Sequence, residues 1–230
     1  MAGNIAELRR LLEERFPDAL PVAYRTTAAV ATGVRALDRI LPGGGLPRGR
    51  VSSWVPGGGA TAVLRAACEA VVRRGERAAW VEGRGVEAGF PWGAGPMVVR
   101  PSGARDALLS AEELLRSGGF GLVVLVGPAL PDVEGVRLSR AAREGGSALV
   151  VVSDEVRSAA VRLRSRIAPE GYRWRRGALG EPVEVEAVEM EVEVRAPGAN
   201  ARTVFQLPVA RHEVRLSLEP GRVDRRGAGV

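Results

Sequence analysis

Near the N-terminus, apolar residues recur at three- and four-residue spacing: Ile5, Leu8, Leu12 and Phe16, with Leu11 beside them. Glu7, Arg9, Arg10, Glu13 and Arg15 fill the positions between. That period predicts an amphipathic helix over 4–16, which Pro17 ends. Residues 17–31 read as a linker with some strand character. The period then changes. Short continuous apolar runs at 50–55, 78–82, 97–100, 122–126 and 148–152 alternate with helical stretches at 60–74, 104–117 and 138–144. A glycine- and proline-rich loop covers 83–96. Apolar strands between helices are what a parallel sheet covered on both faces requires. The expected fold is therefore α/β, a doubly wound, mostly parallel sheet flanked by helices.

The pattern changes again after residue 158. Residues 159–167 read as a short arginine-rich helix. Beyond it, 172–176, 183–194, 203–207 and 213–218 alternate with tight turns between them and predict antiparallel hairpins at one end of the sheet. Residues 221–230 are rich in glycine and arginine and read as a mobile basic tail. Three regions result: a helix and linker over 1–31, a core over 32–220, and the tail.

Composition narrows the chemistry. The chain has 230 residues, enough for one domain with a small appendage, and a net charge of +6. All 33 basic residues are arginine. Without lysine there is no Schiff-base lysine and no phosphate-loop lysine. Cys68 and His212 are the only cysteine and histidine, which excludes a disulfide framework or a Cys/His zinc site within one chain. Cys68 sits in an apolar helical stretch and is expected in the core. His212 lies in a strand-like, charged segment that does not suggest catalysis. A charged N-terminal pattern argues against a signal peptide or a membrane span, so the expected location is the cytoplasm, with nucleoid association open.

Two glycine-anchored motifs stand before the strand at 50–55. They are Thr32-Gly33-Val34-Arg35-Ala36-Leu37-Asp38 and Gly43-Gly44-Gly45-Leu46-Pro47-Arg48-Gly49-Arg50. At this spacing they resemble the lead-in to the ATPase core of the RecA superfamily, and the order of strands and helices carries the resemblance over about residues 5–218. The resemblance places a phosphate loop after Val55, where a working loop reads G-x-x-x-x-G-K-[ST]. This chain reads Val55-Pro56-Gly57-Gly58-Gly59-Ala60-Thr61-Ala62. Thr61 replaces the lysine, Ala62 replaces the magnesium-binding hydroxyl, and Val55 and Ala60 replace the framing glycines. The loop keeps Gly57, Gly58 and Gly59, so a phosphate at the helix N-terminus stays open as a weaker reading.

The other positions implied by the resemblance are also altered. The strand at 122–126 ends in Val126 and Gly127, where a Walker B carboxylate is implied. Arg84 falls where the water-activating acid is implied, with Glu82 two residues before it as the nearest carboxylate. Glu82 reads either as a strand-end residue or as the acid of an unorthodox nucleotidase. The two DNA-gripping loops implied by the resemblance shrink to the short turn before Leu138 and to residues 153–158, which include Asp154 and Glu155. Phosphoryl transfer relies on positioning and charge neutralisation, and the main groups for both are missing. The expectation is a catalytically inactive protein with no catalytic residue, no cofactor and no metal.

A shortened, degenerate RecA homologue of this kind is similar to the ImuA family, accessory proteins of SOS-induced mutagenic translesion synthesis. The resemblance implies RecA, an inactive Y-family polymerase homologue of the ImuB type, and an error-prone polymerase as partners. It also implies that Ile5, Leu8, Leu12 and Phe16 dock onto RecA or onto a second copy of this chain. Folding back onto the chain's own core is the alternative for that helix. A basic segment with interleaved Tyr172 and Trp174 holds Arg157, Arg162, Arg164, Arg166, Arg173, Arg175 and Arg176. It reads either as a contact for DNA or an acidic partner, or as one side of a cross-strand pairing with the six glutamates of 181–193. An ATP-independent DNA-binding accessory protein is thus the second functional expectation. Arg222, Arg225 and Arg226 give the tail a minor role in partner or phosphate contact at most.

Overall fold

In the computed structural model, residues 28–83, 95–153 and 156–208 are described. The two glycine-anchored motifs fold as a clamp that seats the first long strand. β1 (Ala29–Val30) pairs antiparallel with β2 (Leu46–Pro47). Between them Thr32 donates to Asp38 Oδ1 twice, from its backbone N–H at 2.7 Å and its hydroxyl at 2.8 Å. These bonds close the turn over the short helix α1 (Arg35–Asp38), whose Leu37 is fully buried. Gly33 adopts φ 79°, and a Cβ there would lie 3.3 Å from the Ala66 carbonyl oxygen. A glycine is what lets this turn press against the next helix. On the other side, Arg48 clamps Glu76 with bonds of 2.8 and 2.6 Å.

The main sheet has eight strands. β3 (Val51–Val55) leads into α2 (Ala60–Arg73) and β4 (Ala78–Glu82), and β5 (Met97–Val99) leads into α3 (Ala104–Arg116) and β6 (Leu122–Val126). After α4 (Asp132–Glu144) and β7 (Ala148–Val152) come three long strands, β8 (Val161–Arg176), β9 (Pro182–Ala196) and β10 (Ala199–Pro208). The spatial order is β10-β9-β8-β3-β7-β6-β4-β5. β3 lies between β7 and β8 and is parallel to both, whereas β9 and β10 are antiparallel additions. The C-terminal strands therefore extend the main sheet, and an α/β architecture with a large, mostly parallel sheet is what the apolar runs predict.

Alternate strand residues feed two cores. Trp54, Trp80, Leu122, Val124 and Val150 pack on one face against α2. Val51, Val81, Val123, Leu125, Leu149 and Val151 pack on the other against α3 and α4. Burial on both faces explains why β6 and β7 are continuously apolar. The first core also runs beneath β8 and β9, through Val161, Leu163, Met190, Val192 and Val194. Trp54 Nε1 donates to the buried Ser165 hydroxyl at 3.1 Å and ties β3 to β8.

Two boundaries differ from expectation. Residues 159–167 are not a helix, because they open β8. Val161, Leu163 and Ser165 are buried and Arg162, Arg164 and Arg166 are exposed, a strict period of two that overrides the helix-forming character of arginine. α4 begins at Asp132, six residues before the predicted start. Its first two turns carry the exposed Val133 and Val136, which blur the amphipathic pattern. Among the described residues no helix is long and apolar enough to cross a membrane.

Candidate functional site

The glycine loop after β3 is the first place to look for chemistry. Gly59 caps α2 in the left-handed region at φ 82°, without a side-chain cap. A Cβ on Gly58 would sit 3.1 Å from the backbone nitrogen of Ile167, and one on Gly59 would collide with the sulfur of Met190. A Cβ on Gly57 would come 2.8 Å from the Ser165 carbonyl oxygen. The glycines thus allow the loop to lie against β8 and β9. Close packing of the chain against itself accounts for them without a ligand. Thr61 and Ala62, in the first turn of α2, open into a largely apolar groove of about 810 Å³ shared with Gly33, Phe205 and Leu207.

The neighbouring strand ends hold no free acid where one is implied. Val126 is buried in the first core, and the Gly127 N–H donates to the Val152 carbonyl at 3.2 Å. Glu82, at the end of β4, accepts from Arg100 Nε at 2.8 Å, with its side chain only 7% exposed. This carboxylate holds the strand end to the residue that follows β5. Cys68 is fully buried on α2. Burial, with a smaller contribution from Glu69, pushes its thiol up to about 12, so it stays protonated and inert at neutral pH.

The arginine-rich segment is the second place. The cross-strand pairing with the glutamates is present for part of it. Arg166 pairs with Glu191 at 2.7 Å and Arg175 with Glu184 at 2.9 Å, each across the β8–β9 ladder. Arg202 of β10 also bonds Glu191. These guanidinium groups, Arg202 first, hold the Glu191 carboxyl below its ordinary value. Arg162, however, stands directly opposite Arg195, and Arg164 stands opposite Glu193. Arg157, Arg162, Arg164 and Arg195 gather around one cavity of about 290 Å³ beside Ser53. Arg173, Arg175 and Arg176 lie beyond a bulge that follows Ile167 and do not join them. Arg176 instead donates to the Gly180 carbonyl at 2.7 Å.

Tyr172 and Trp174 are half exposed but pair with Val188 and Val185, on the sheet face opposite the arginines. Basic and aromatic residues that are neighbours in sequence are therefore separated by the sheet. Arg195 escapes a search for basic runs because glutamates precede it, and Arg202 because it stands alone among uncharged residues. The signal that finds Arg195 is the two-residue alternation of Glu191, Glu193 and Arg195 against Val192 and Val194. Residues 4–16 with Ile5, Leu8, Leu12 and Phe16, His212, the strand at 213–218 and the tail lie outside the described residues, as do Arg84, Asp154 and Glu155. Among the described residues no cluster of three metal-ligating side chains occurs. The chain matches no protein-family model and no curated protein.

Proposed function

We propose that this chain is a RecA-like core without nucleotide chemistry, which acts by binding other proteins in SOS-induced mutagenic translesion synthesis, in the manner of ImuA. The observation that carries this reading is the glycine loop. It follows the strand that the two lead-in motifs seat, lacks the lysine and the magnesium hydroxyl, and lies against Ile167 and Met190 of the chain's own sheet. Loss of the Walker B acid at Val126 and Gly127 agrees with it. Its partners are RecA, the ImuB-type inactive polymerase homologue and the error-prone polymerase. Ile5, Leu8, Leu12 and Phe16 supply the apolar anchors, since a stripe at helical spacing joined by a linker suits a groove on a partner.

Size-exclusion chromatography with light scattering, using purified RecA without DNA, tests the partner. A complex formed by the wild type and lost in Leu8→Arg supports the reading. No complex with either form, repeated with the ImuB-type partner, overturns it. Magnesium-dependent ATP turnover above background that vanishes in Glu82→Gln also overturns it, in favour of the unorthodox nucleotidase. Thr61→Lys with Ala62→Thr is expected to leave turnover at background.

A further inference from the structure

Helices α3 and α4 cover β4, β6, β7 and part of β3, and their layer stops there. On the same side of the sheet, β8, β9 and β10 carry an exposed array: Arg162, Arg164 and Arg166, then Arg195, then Arg202, with Glu191 and Glu193 among them. The cavity of about 290 Å³ lies at the step where the helical layer ends. Four guanidinium groups and one carboxylate, Glu193, surround it.

These four arginines are poorly neutralised. Arg195 pairs with Glu193 of its own strand at 2.8 Å. Arg162 spends one nitrogen on the Arg157 carbonyl at 3.0 Å, and Arg157 approaches Asp132 only to 3.9 Å. The guanidinium of Arg164 has no hydrogen-bond or ion-pair partner among the described residues, although Glu193 stands opposite it in the ladder. Like charges directly opposite on neighbouring strands, as Arg162 and Arg195 are, destabilise a sheet unless something lies between them. Planar forked donors suit phosphate oxygens, which accept two parallel bonds. The almost fully buried Ser53 also lines the cavity, which makes it a recess rather than a flat patch.

From this we infer that the cavity bounded by Arg157, Arg162, Arg164 and Arg195 is a phosphate-binding site for the backbone of a single nucleic-acid strand. Its volume stands at the lower edge of the range for ligand pockets and has room for an anionic group of a longer chain. The arginine array continues along β8 at two-residue steps, roughly 6.8 Å apart, which gives adjacent phosphates a path. Binding is independent of sequence, because the arginines contact phosphates and not base edges; Tyr172 and Trp174 face the other side and stack no bases here. The inference does not rest on the RecA-like reading, and neither experiment's failure bears on the other.

Fluorescence anisotropy with a labelled oligothymidylate tests it over a range of salt concentrations. The Arg162→Ala/Arg164→Ala variant is expected to lose at least ~tenfold in affinity. Its logarithmic salt slope should shrink by about 1.4, the share of two phosphate contacts on a single strand. Arg164→Lys, which keeps the charge and loses the fork, should fall between the two. Arg73→Ala/Arg74→Ala removes the same charge from the end of α2 and should cost less than ~twofold, since neither residue lines the cavity. Equal losses in both double variants would reduce the effect to net charge and overturn the site. Undiminished binding in the cavity variant, with loss in Arg222→Ala/Arg225→Ala/Arg226→Ala, would move it to the tail. Competition by inorganic phosphate or polyglutamate as strong as by unlabelled oligonucleotide would reject a nucleic-acid ligand. Circular dichroism melts confirm that each variant is folded.

Discussion

In β6 and β7 every side chain is buried, whereas burial alternates residue by residue over 161–166 of β8 and 188–195 of β9. Both pairs belong to one sheet, and β3 hydrogen-bonds to both β7 and β8. The difference comes from the second layer: helices cover the parallel half on both sides and the C-terminal extension on one. The parallel half is constrained by packing, so its residues explain the fold and little else. The extension has a free face, where charge is arranged with only half its pairs closed. Chemistry in this protein is therefore sought on the uncovered face.

The largest effect is expected from cutting into the doubly covered half. Leu149→Ala should cost about 2–5 kcal/mol, because it opens a cavity among fully buried neighbours. Val204→Ala, on the half-exposed edge strand β10, should stay within about 0.5 kcal/mol. Urea unfolding of both variants checks the contrast, and similar losses would erase it. A middle-sized effect belongs to the boundary between the halves. Gly59→Val forces a branched residue into the left-handed region and against Met190, at about 1–3 kcal/mol. A neutral result by the same method would mean that the glycine loop does not lie on β9.

The smallest effect, and the sharpest in sign, concerns Glu191 on the extension. Its carboxyl is held below the ordinary glutamate value of 4.5 by its bonds to Arg202 and Arg166. It therefore adds stability at and above that ordinary value, and loses it as pH falls through its lowered value. The melting-temperature gap between wild type and Glu191→Gln should be open at neutral pH and close in acid. A gap that persists unchanged in acid would show that the loss comes from packing rather than charge.

The parallel half was legible because its signals are redundant. Apolar runs of strand length at 122–126, between Gly121 and Gly127, and at 148–152, between Ser147 and Ser153, admit few other structures. The lead-in motifs were legible as motifs, and the fold supplies their physics: a Thr32–Asp38 staple and a glycine pressed onto α2. Residues 159–167 read as a helix because arginine favours helix, and their strand period is visible only when every second residue is scored. The basic cavity was half legible. Arg157, Arg162 and Arg164 stand out as a basic run, but Arg195 joins them through the antiparallel register of β9, a long-range pairing that no local window contains. Tyr172 and Trp174 read as interleaved with the arginines because a bulge that changes the residue count between strands leaves no clear local mark.

The bond from Trp54 to Ser165 has an optical consequence. Trp54 and Trp80 are fully buried in the first core, while Trp174 on the extension is 49% exposed. The first two should emit at short wavelength and resist acrylamide, and Trp174 should emit to the red and be quenched. A variant that keeps Trp54 alone, with Trp80, Trp92 and Trp174 each changed to Phe, isolates the emission that watches β3 and β8 come apart.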